Sequence, residues 1–363
     1  MKKFLFYLGH PAHFHLFKYT IKELHSKNYP VEIVIKKKDV LENLVQAQGW
    51  NYKNIYPKDR NENKVAILFS LLKKDQELFK IVNQFKPSLM IGTSSEITHI
   101  GKIMNIPSLV VNEDDAEAVP FFAKLSYPLA TNILVPSSCS VGRWREKTIF
   151  YEGYHELAYL HPKRIKLNNV IIKNEKDKKI FFLRFAKLTA HHDEGKTGIS
   201  DSLALEIVNK LKHYGNVYIS SERELNEELD KYRITLPPSE ILSFLSSCNL
   251  YIGDSQTMTA EAAVMGIPSI RFNDFVGKLS YLEELEHKYK LTYGIKTSEP
   301  DKFFKKLDEL LSFPDLQEEW QKRKTKMLSD KIDVTGFFIW LVENYPDSKN
   351  KITNDPLFIN NFK

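Results

Sequence analysis

Cysteine is nearly missing from this chain: Cys139 and Cys248 are its two thiols in 363 residues. Residues so far apart build no disulfide framework and no CxxC metal site, and their scarcity fits a reducing compartment. No window approaches the ~18 consecutive apolar residues that a membrane span needs. The apolar start, Met1 to Leu8, is cut short by Gly9, His10 and Pro11 with no small-residue cleavage site after it. It reads as a first buried strand rather than a signal peptide, and a soluble cytoplasmic protein is expected. Charge is not lopsided either: 52 Lys+Arg against 46 Asp+Glu leave +6. That small excess permits anionic small molecules or an acidic membrane surface. Without a basic run interleaved with aromatics, or zinc-finger spacing, no nucleic-acid partner is expected.

What is present is ordinary globular composition, 42% hydrophobic and 27% charged. At roughly 100–200 residues per domain the length suggests two domains. Short apolar β-branched or aromatic runs alternate with helix-period segments. Lys3–Leu8, Val31–Ile35, Leu89–Gly92, Leu109–Asn112 and Ile133–Pro136 read as strands; Phe14–Lys27, Val65–Phe85 and Glu96–Met104 read as helices. Such alternation argues for a parallel sheet covered on both faces. The pattern weakens from Tyr151 and resumes at Ile180. We therefore expect an amino domain over 1–152, a linker over 153–178, a carboxyl domain over 179–330, a helix over 331–345 and a poorly ordered tail over 346–363.

In open α/β sheets ligands sit beyond the carboxyl ends of strands, at helix N-termini. The loops after each strand are therefore the informative ones. Leu250-Tyr-Ile-Gly253 runs into Asp254-Ser255-Gln256-Thr257 and then a helix closed by Gly266 and Pro268. Free backbone N–H groups at that helix start suit a phosphate, and Ser255, Thr257 and Thr259 add hydroxyls. Glu261 can accept both hydroxyls of a ribose, or it is a glutamate on the helix surface. The turn Gly9-His10-Pro11-Ala12-His13-Phe14-His15 offers a phosphate or acceptor contact through Gly9 and His10. One of its histidines can serve as general base, or they only cap the helix. His13 and His15 diverge on a helix, and no Cys or Asp completes a metal site. Glu113, Asp114 and Asp115 follow another short strand; they can orient an acceptor hydroxyl or act as base, or form a solvated acidic loop. Arg184 and Lys187 follow the first strand of the second half and can neutralise phosphate.

The pattern strand–(G/D)-S-x-T-x-x-E-A-x-x-x-G-x-P, carried here by Gly253 to Pro268, resembles the nucleotide-sugar signature of GT-B proteins. These include the MurG-type glycosyltransferases and the UDP-N-acetylglucosamine 2-epimerases. Over about residues 1–345 the chain resembles an uncharacterised GT-B glycosyltransferase-like family of archaea and bacteria. The resemblance implies two Rossmann-like, doubly wound parallel-sheet domains facing each other across a cleft, the last helix returning to the amino domain. It implies Ser255, Gln256 and Thr257 for the diphosphate, Glu261 for the ribose, and Arg271, Asn273 and Asp274 near the sugar. His13 matches the histidine that ends the first loop of MurG-type enzymes. Glu113 matches an epimerase active-site glutamate. Two epimerase positions are lost: its aspartate after glycine is Thr93 here, and its Gly-His-Arg loop reads Leu183-Arg-Phe-Ala186. Retaining GT-B enzymes carry a glutamate eight positions before the ribose one; that position is Gly253.

The resulting expectation is a glycosyltransferase moving a sugar from a nucleoside diphosphate donor, UDP by resemblance, to a glycan or lipid-linked acceptor. It would act with inversion, without metal and without a cofactor. A UDP-sugar 2-epimerase and a non-catalytic nucleotide-sugar-binding protein are the alternatives. Phe121–Tyr127 suits either peripheral contact with the inner membrane surface or an amphipathic helix packed on the sheet.

Overall fold

The computed structural model describes residues 1–36, 40–55, 64–167, 178–186 and 198–363, with the backbone alone for 64–70. It divides into two compact units, Met1–Arg164 with Lys331–Lys363, and Ile165–Asp330.

The amino unit runs β1 (Phe4–Leu8), α1 (Pro11–Ser26), β2 (Val31–Ile35), α2 (Leu41–Gln46), β3 (Lys53–Asn54), α3 (Lys64–Phe85), β4 (Leu89–Gly92), α4 (Glu96–Met104), β5 (Ser108–Val111), α5 (Pro120–Ser126), β6 (Asn132–Pro136), β7 (Thr148–Tyr151) and α6 (Leu157–Leu160). Its seven strands pair in the order β3-β2-β1-β4-β5-β6-β7, all parallel. Strands β1, β4, β5 and β6 are buried throughout, because helices cover both faces of a parallel sheet.

The carboxyl unit runs β8 (Lys179–Phe185), α7 (Asp201–Leu211), β9 (Gly215–Ser221), α8 (Glu227–Asp230), α9 (Ile241–Ser246), β10 (Leu250–Gly253), α10 (Gln256–Met265), β11 (Ser269–Phe272), α11 (Ser280–Glu283), β12 (Thr292–Ile295), α12 (Pro300–Leu311) and α13 (Leu316–Asp330). Its parallel sheet has the order β12-β11-β10-β8-β9. Helix α12 shows why these segments fold as they do: Pro300 opens it, and Phe303, Leu307, Leu310 and Leu311 fall on one buried stripe. Each unit is thus an open, doubly wound α/β sheet. The order reverses direction between β1 and β4 in one unit and between β8 and β10 in the other, and such switch points are where these sheets bind ligands.

The chain then returns to the amino unit as α14 (Val334–Glu343) and α15 (Asp347–Asn354). Two expectations change. Tyr151 ends strand β7, and Leu157–Leu160 is a fully buried turn of helix packed with α1 and α14, so residues 153–164 are core of the amino unit rather than linker. Of the remaining linker, 168–177 lie outside the described residues. The tail is ordered: α15 is followed by a 3-10 turn, Pro356–Phe362. Phe358 and Phe362 lie 4.8 and 5.5 Å from the Trp340 ring on α14. Apolar ring contact outweighs the polar, Pro/Asn-containing composition of the tail.

Candidate active site

In the amino unit the loops flanking the switch point are Gly9–His10 and Thr93–Ser95. His10 caps α1, its Nδ1 accepting the Ala12 N–H at 3.2 Å. His13 Nδ1 accepts the Gly9 N–H at 3.1 Å. With Nδ1 engaged as acceptor, each neutral ring carries its proton on Nε2 and is a donor there. Both imidazoles therefore suit an anionic or hydroxyl oxygen as N–H donors. A general-base role for His13 requires its bond to Gly9 to break first. Across the switch point, Glu96 is buried and bonded to Ser94 Oγ at 2.6 Å and to Lys74 Nζ of α3 at 2.6 Å. Thr93 donates its hydroxyl to the Val111 carbonyl at 2.6 Å.

Beyond β5, three loops meet. Asp115 is buried and accepts the Ser140 N–H, while Cys139 donates its thiol to the Glu113 carbonyl at 2.9 Å. The Glu113 carboxyl accepts the backbone N–H of His155 at 3.2 Å and stands 3.4 Å from His155 Nδ1. Burial, and then the charge of Asp114, push the Glu113 carboxyl up to about 8. Burial holds the His155 imidazole down to about 3. The acidic loop is thus a built, partly enclosed structure around Glu113. Asp114 sits at its centre, its carbonyl accepting the Asn112 amide at 2.9 Å.

In the carboxyl unit, β10 delivers Asp254 and Ser255 to the start of α10. Ser255 caps the helix by accepting the Met258 N–H. Gln256 and Thr257 are half-buried at its first turn. Thr259 turns inward and donates to the Ser255 carbonyl at 2.7 Å, so its hydroxyl is spent on the helix itself rather than offered to a phosphate. Glu261 is 7% exposed on a helix buried from Met258 to Met265. That overturns the surface-glutamate reading, since a carboxylate is rarely enclosed without a purpose.

Asp254 accepts the Ala186 N–H at 2.7 Å and is also bonded by the Ile199 backbone N–H. A Cβ on Gly198 would lie 2.6 Å from its Oδ2, so that close approach needs glycine. Burial pushes the Asp254 carboxyl up to about 6. A Cβ on Gly253 would meet Tyr251 Oη at 2.4 Å and the Arg184 carbonyl at 2.8 Å. The fold therefore leaves no room for the glutamate of retaining enzymes at this position.

Of the three sugar-side candidates, Arg271 and Asn273 are buried and Asp274 is half-buried. Asn273 is fully buried: its amide donates to the Asp254 carbonyl at 2.7 Å and accepts the Phe275 N–H at 3.0 Å, so it shapes the turn. Arg271 is 1% exposed, and its Nη2 lies 3.6 Å from Glu283. Its Nε and Nη1 have no hydrogen-bond partner among the described residues. Asp274 accepts the Thr297 hydroxyl. Arg184 is bound by Ser220 Oγ and Glu222 on the β9 side. Lys187 lies outside the described residues. Among the described residues no group of three or more His, Cys, Asp or Glu side chains is arranged to hold a metal ion.

Asp254 and His155 were not singled out by the sequence. Asp254 has a local signal, a carboxylate directly after a buried strand. His155 has none, because its partner lies 42 positions away.

Comparison with known proteins bears on the family and the fold. Residues 4–286 match the family described as "Protein of unknown function (DUF354)". An uncharacterized protein of Methanocaldococcus jannaschii is 26% identical over 281 residues, covering 72% of this chain and 79% of its own. Among solved structures, the chain is similar to UDP-GlcNAc 2-epimerase from Neisseria meningitidis bound to UDP-GlcNAc (TM-score 0.65, 15% identity, 96% of this chain and 100% of that one). It is also similar to S. aureus MnaA with UDP (TM-score 0.68, 13% identity, 96% and 98%) and to Acinetobacter baumannii MurG (TM-score 0.60, 12% identity, 94% and 99%). At such identity these likenesses show the fold. With two parallel doubly wound sheets and these neighbours, the protein has the GT-B fold and belongs to the DUF354 family.

Proposed function

We propose that the protein is a glycosyltransferase using a nucleoside diphosphate sugar, UDP-linked, as donor and a glycan or lipid-linked precursor as acceptor. The observation that carries this reading is the enclosed Glu261 carboxylate on α10, behind the Ser255-capped turn at the carboxyl edge of its sheet. The α10 N-terminus supplies backbone N–H groups and dipole for a diphosphate, with Ser255, Gln256 and Thr257 beside it. Glu261 accepts the ribose hydroxyls. Such a helix end also stabilises the departing nucleoside diphosphate as charge builds on it. The acceptor is bound by the amino unit, where the His10 and His13 N–H donors hold an oxygen of it. Glu113, once ionised, takes the proton of the attacking hydroxyl. The closed space at Gly253 supports inversion.

Neighbouring structures that hold UDP and UDP-GlcNAc support a UDP-linked donor. No helix among the described residues is long and apolar enough to cross a membrane. A lipid-linked acceptor would be met at the membrane surface, with the exposed Phe121 on α5 as the contact.

The epimerase reading has one observation in its favour, the proton-holding Glu113 carboxyl. Against it, the residue at the epimerase aspartate position is Thr93, whose hydroxyl is too weak an acid and base to move a proton at a sugar carbon at neutral pH. Incubation with UDP-GlcNAc, with and without candidate glycan acceptors, separates the readings. UDP release that requires an acceptor supports the transferase. UDP release or a 2-epimer from donor alone supports the epimerase. Binding without turnover leaves a nucleotide-sugar-binding protein.

A further inference from the structure

His155 lies in a stretch whose sequence resembles a connector, and none of the roles assigned to the transfer reaction falls to it. The end of β7 delivers it to Glu113, which it meets twice: its backbone N–H bonds the carboxyl at 3.2 Å, and its Nδ1 stands 3.4 Å away. The two side chains are 13% and 17% exposed. The Cys139 thiol fixes the Glu113 carbonyl from a third loop. Glu113, which follows β5, is thus held at both ends of its residue from the loops after β6 and β7.

The ring's tautomer follows from its other nitrogen. His155 Nε2 is buried with no hydrogen-bond partner among the described residues. A bare lone pair there costs less than a stranded N–H. The proton therefore belongs on Nδ1, which stands 3.4 Å from the Glu113 carboxyl. The other titratable groups around Glu113 are Asp114 and Asp115 on its own loop, Tyr127 at the end of α5, Cys139, and Tyr151 and Glu156 at the end of β7. Each is neutral or, when ionised, anionic, so none of them stabilises a carboxylate by charge. Beside these groups, His155 brings its Nδ1 to 3.4 Å from the carboxyl.

We propose that His155 is the positioning residue of Glu113, orienting its carboxylate and stabilising it for proton abstraction from the acceptor hydroxyl. The acceptor oxygen bonds to the sugar carbon while the bond from that carbon to the diphosphate oxygen breaks, its electron pair leaving with the nucleoside diphosphate. The hydroxyl proton passes to the Glu113 carboxylate and then to solvent. His155 keeps its own proton throughout. The catalytic part of this inference rests on the transferase reading; the pairing does not.

Two measurements test it on the full chain. The first is pH-dependent infrared difference spectroscopy of the carboxyl stretch, with Glu113→Gln identifying the band. The wild-type band should titrate near pH 8. In His155→Phe the midpoint should move to higher pH by about 0.5 or more, and His155→Gln, which keeps an N–H donor and is the milder change, should restore it. An unmoved midpoint, or one moved to lower pH, overturns the pairing. The second is the pH profile of UDP release from UDP-GlcNAc with acceptor. The alkaline rise in kcat/KM should shift in His155→Phe by the same amount as the band. An unshifted profile overturns the catalytic role. A shifted band with no acceptor-dependent UDP release in the wild type would sink the transferase and keep the pairing.

Discussion

Glu113 illustrates how one residue ties ionisation to stability. Its carboxyl titrates near 8 in the folded protein and near its ordinary value of 4.5 when unfolded. Between those values the folded state binds more protons than the unfolded state. The stabilisation is therefore complete below the unfolded value and is lost as pH rises through about 8. The stability of the wild type against denaturant should fall from about pH 5 to about pH 9. Glu113→Gln should flatten that slope, gaining about 1.4 kcal/mol at the alkaline end for each factor of ten by which folding had raised the proton affinity of the carboxyl. Identical slopes in the two proteins would show that Glu113 is not held protonated. His155 acts in the opposite sense. A histidine depressed to about 3 binds fewer protons folded than unfolded, so it costs stability as pH falls below about 6.5. The sequence places Glu113 and Asp114 after a strand but carries no sign of their three-dimensional neighbours. Nor does it reveal that Asn273 and Arg271 turn into the protein interior. Those fates depend on residues brought together by long-range strand pairing.

Elements built from local signals are legible in the sequence, and those built by tertiary packing are not. The β10–turn–α10 unit can be read directly. A buried apolar strand, a Ser N-cap and a Gly stop lie within 17 residues of each other, between Leu250 and Gly266. Helix α7, capped by Ser200, is equally clear. Strand β3 is two residues long, and β12 carries a glycine where a strand-former is usual. Both exist because a neighbouring strand offers pairing partners. Helix α6 and the tail escape such a reading because their few apolar side chains gain burial only against α1 and α14. Helix α14 shows what such packing depends on. Asp333 caps it by accepting the Gly336 N–H at 3.0 Å and pairs with Arg164 through two guanidinium nitrogens. Asp333→Ala removes the cap and strands a partly buried arginine. The expected loss is roughly 2–4 kcal/mol in urea unfolding. A change below about 0.5 kcal/mol would mean that the pair is not formed in solution.

At the scale of the whole molecule, the two units differ in how the chain builds them. Ile165–Asp330 is one continuous segment, while the amino unit needs Met1–Arg164 and Lys331–Lys363 together. The fragment 165–330 should therefore fold by itself, with a cooperative thermal transition by circular dichroism. The fragment 1–164 lacks α14, whose Phe338 packs on Phe17 of α1 and Tyr151 of β7. It should show no cooperative transition until 331–363 is supplied. A cooperative transition in 1–164 alone would contradict this dependence.

Whether α10 carries a nucleotide site decides the proposed function. Calorimetric titration of UDP and UDP-sugars into the wild type and into Glu261→Ala and Glu261→Gln tests it most directly, with thermal transitions confirming that the variants are folded. Micromolar-range binding to the wild type is expected, weakened at least about tenfold, or 1.4 kcal/mol, in both variants. No binding by the wild type, or equal affinity in folded variants, would reduce the Ser255–Glu261 segment to a capped, buried helix and leave the fold without the function proposed for it.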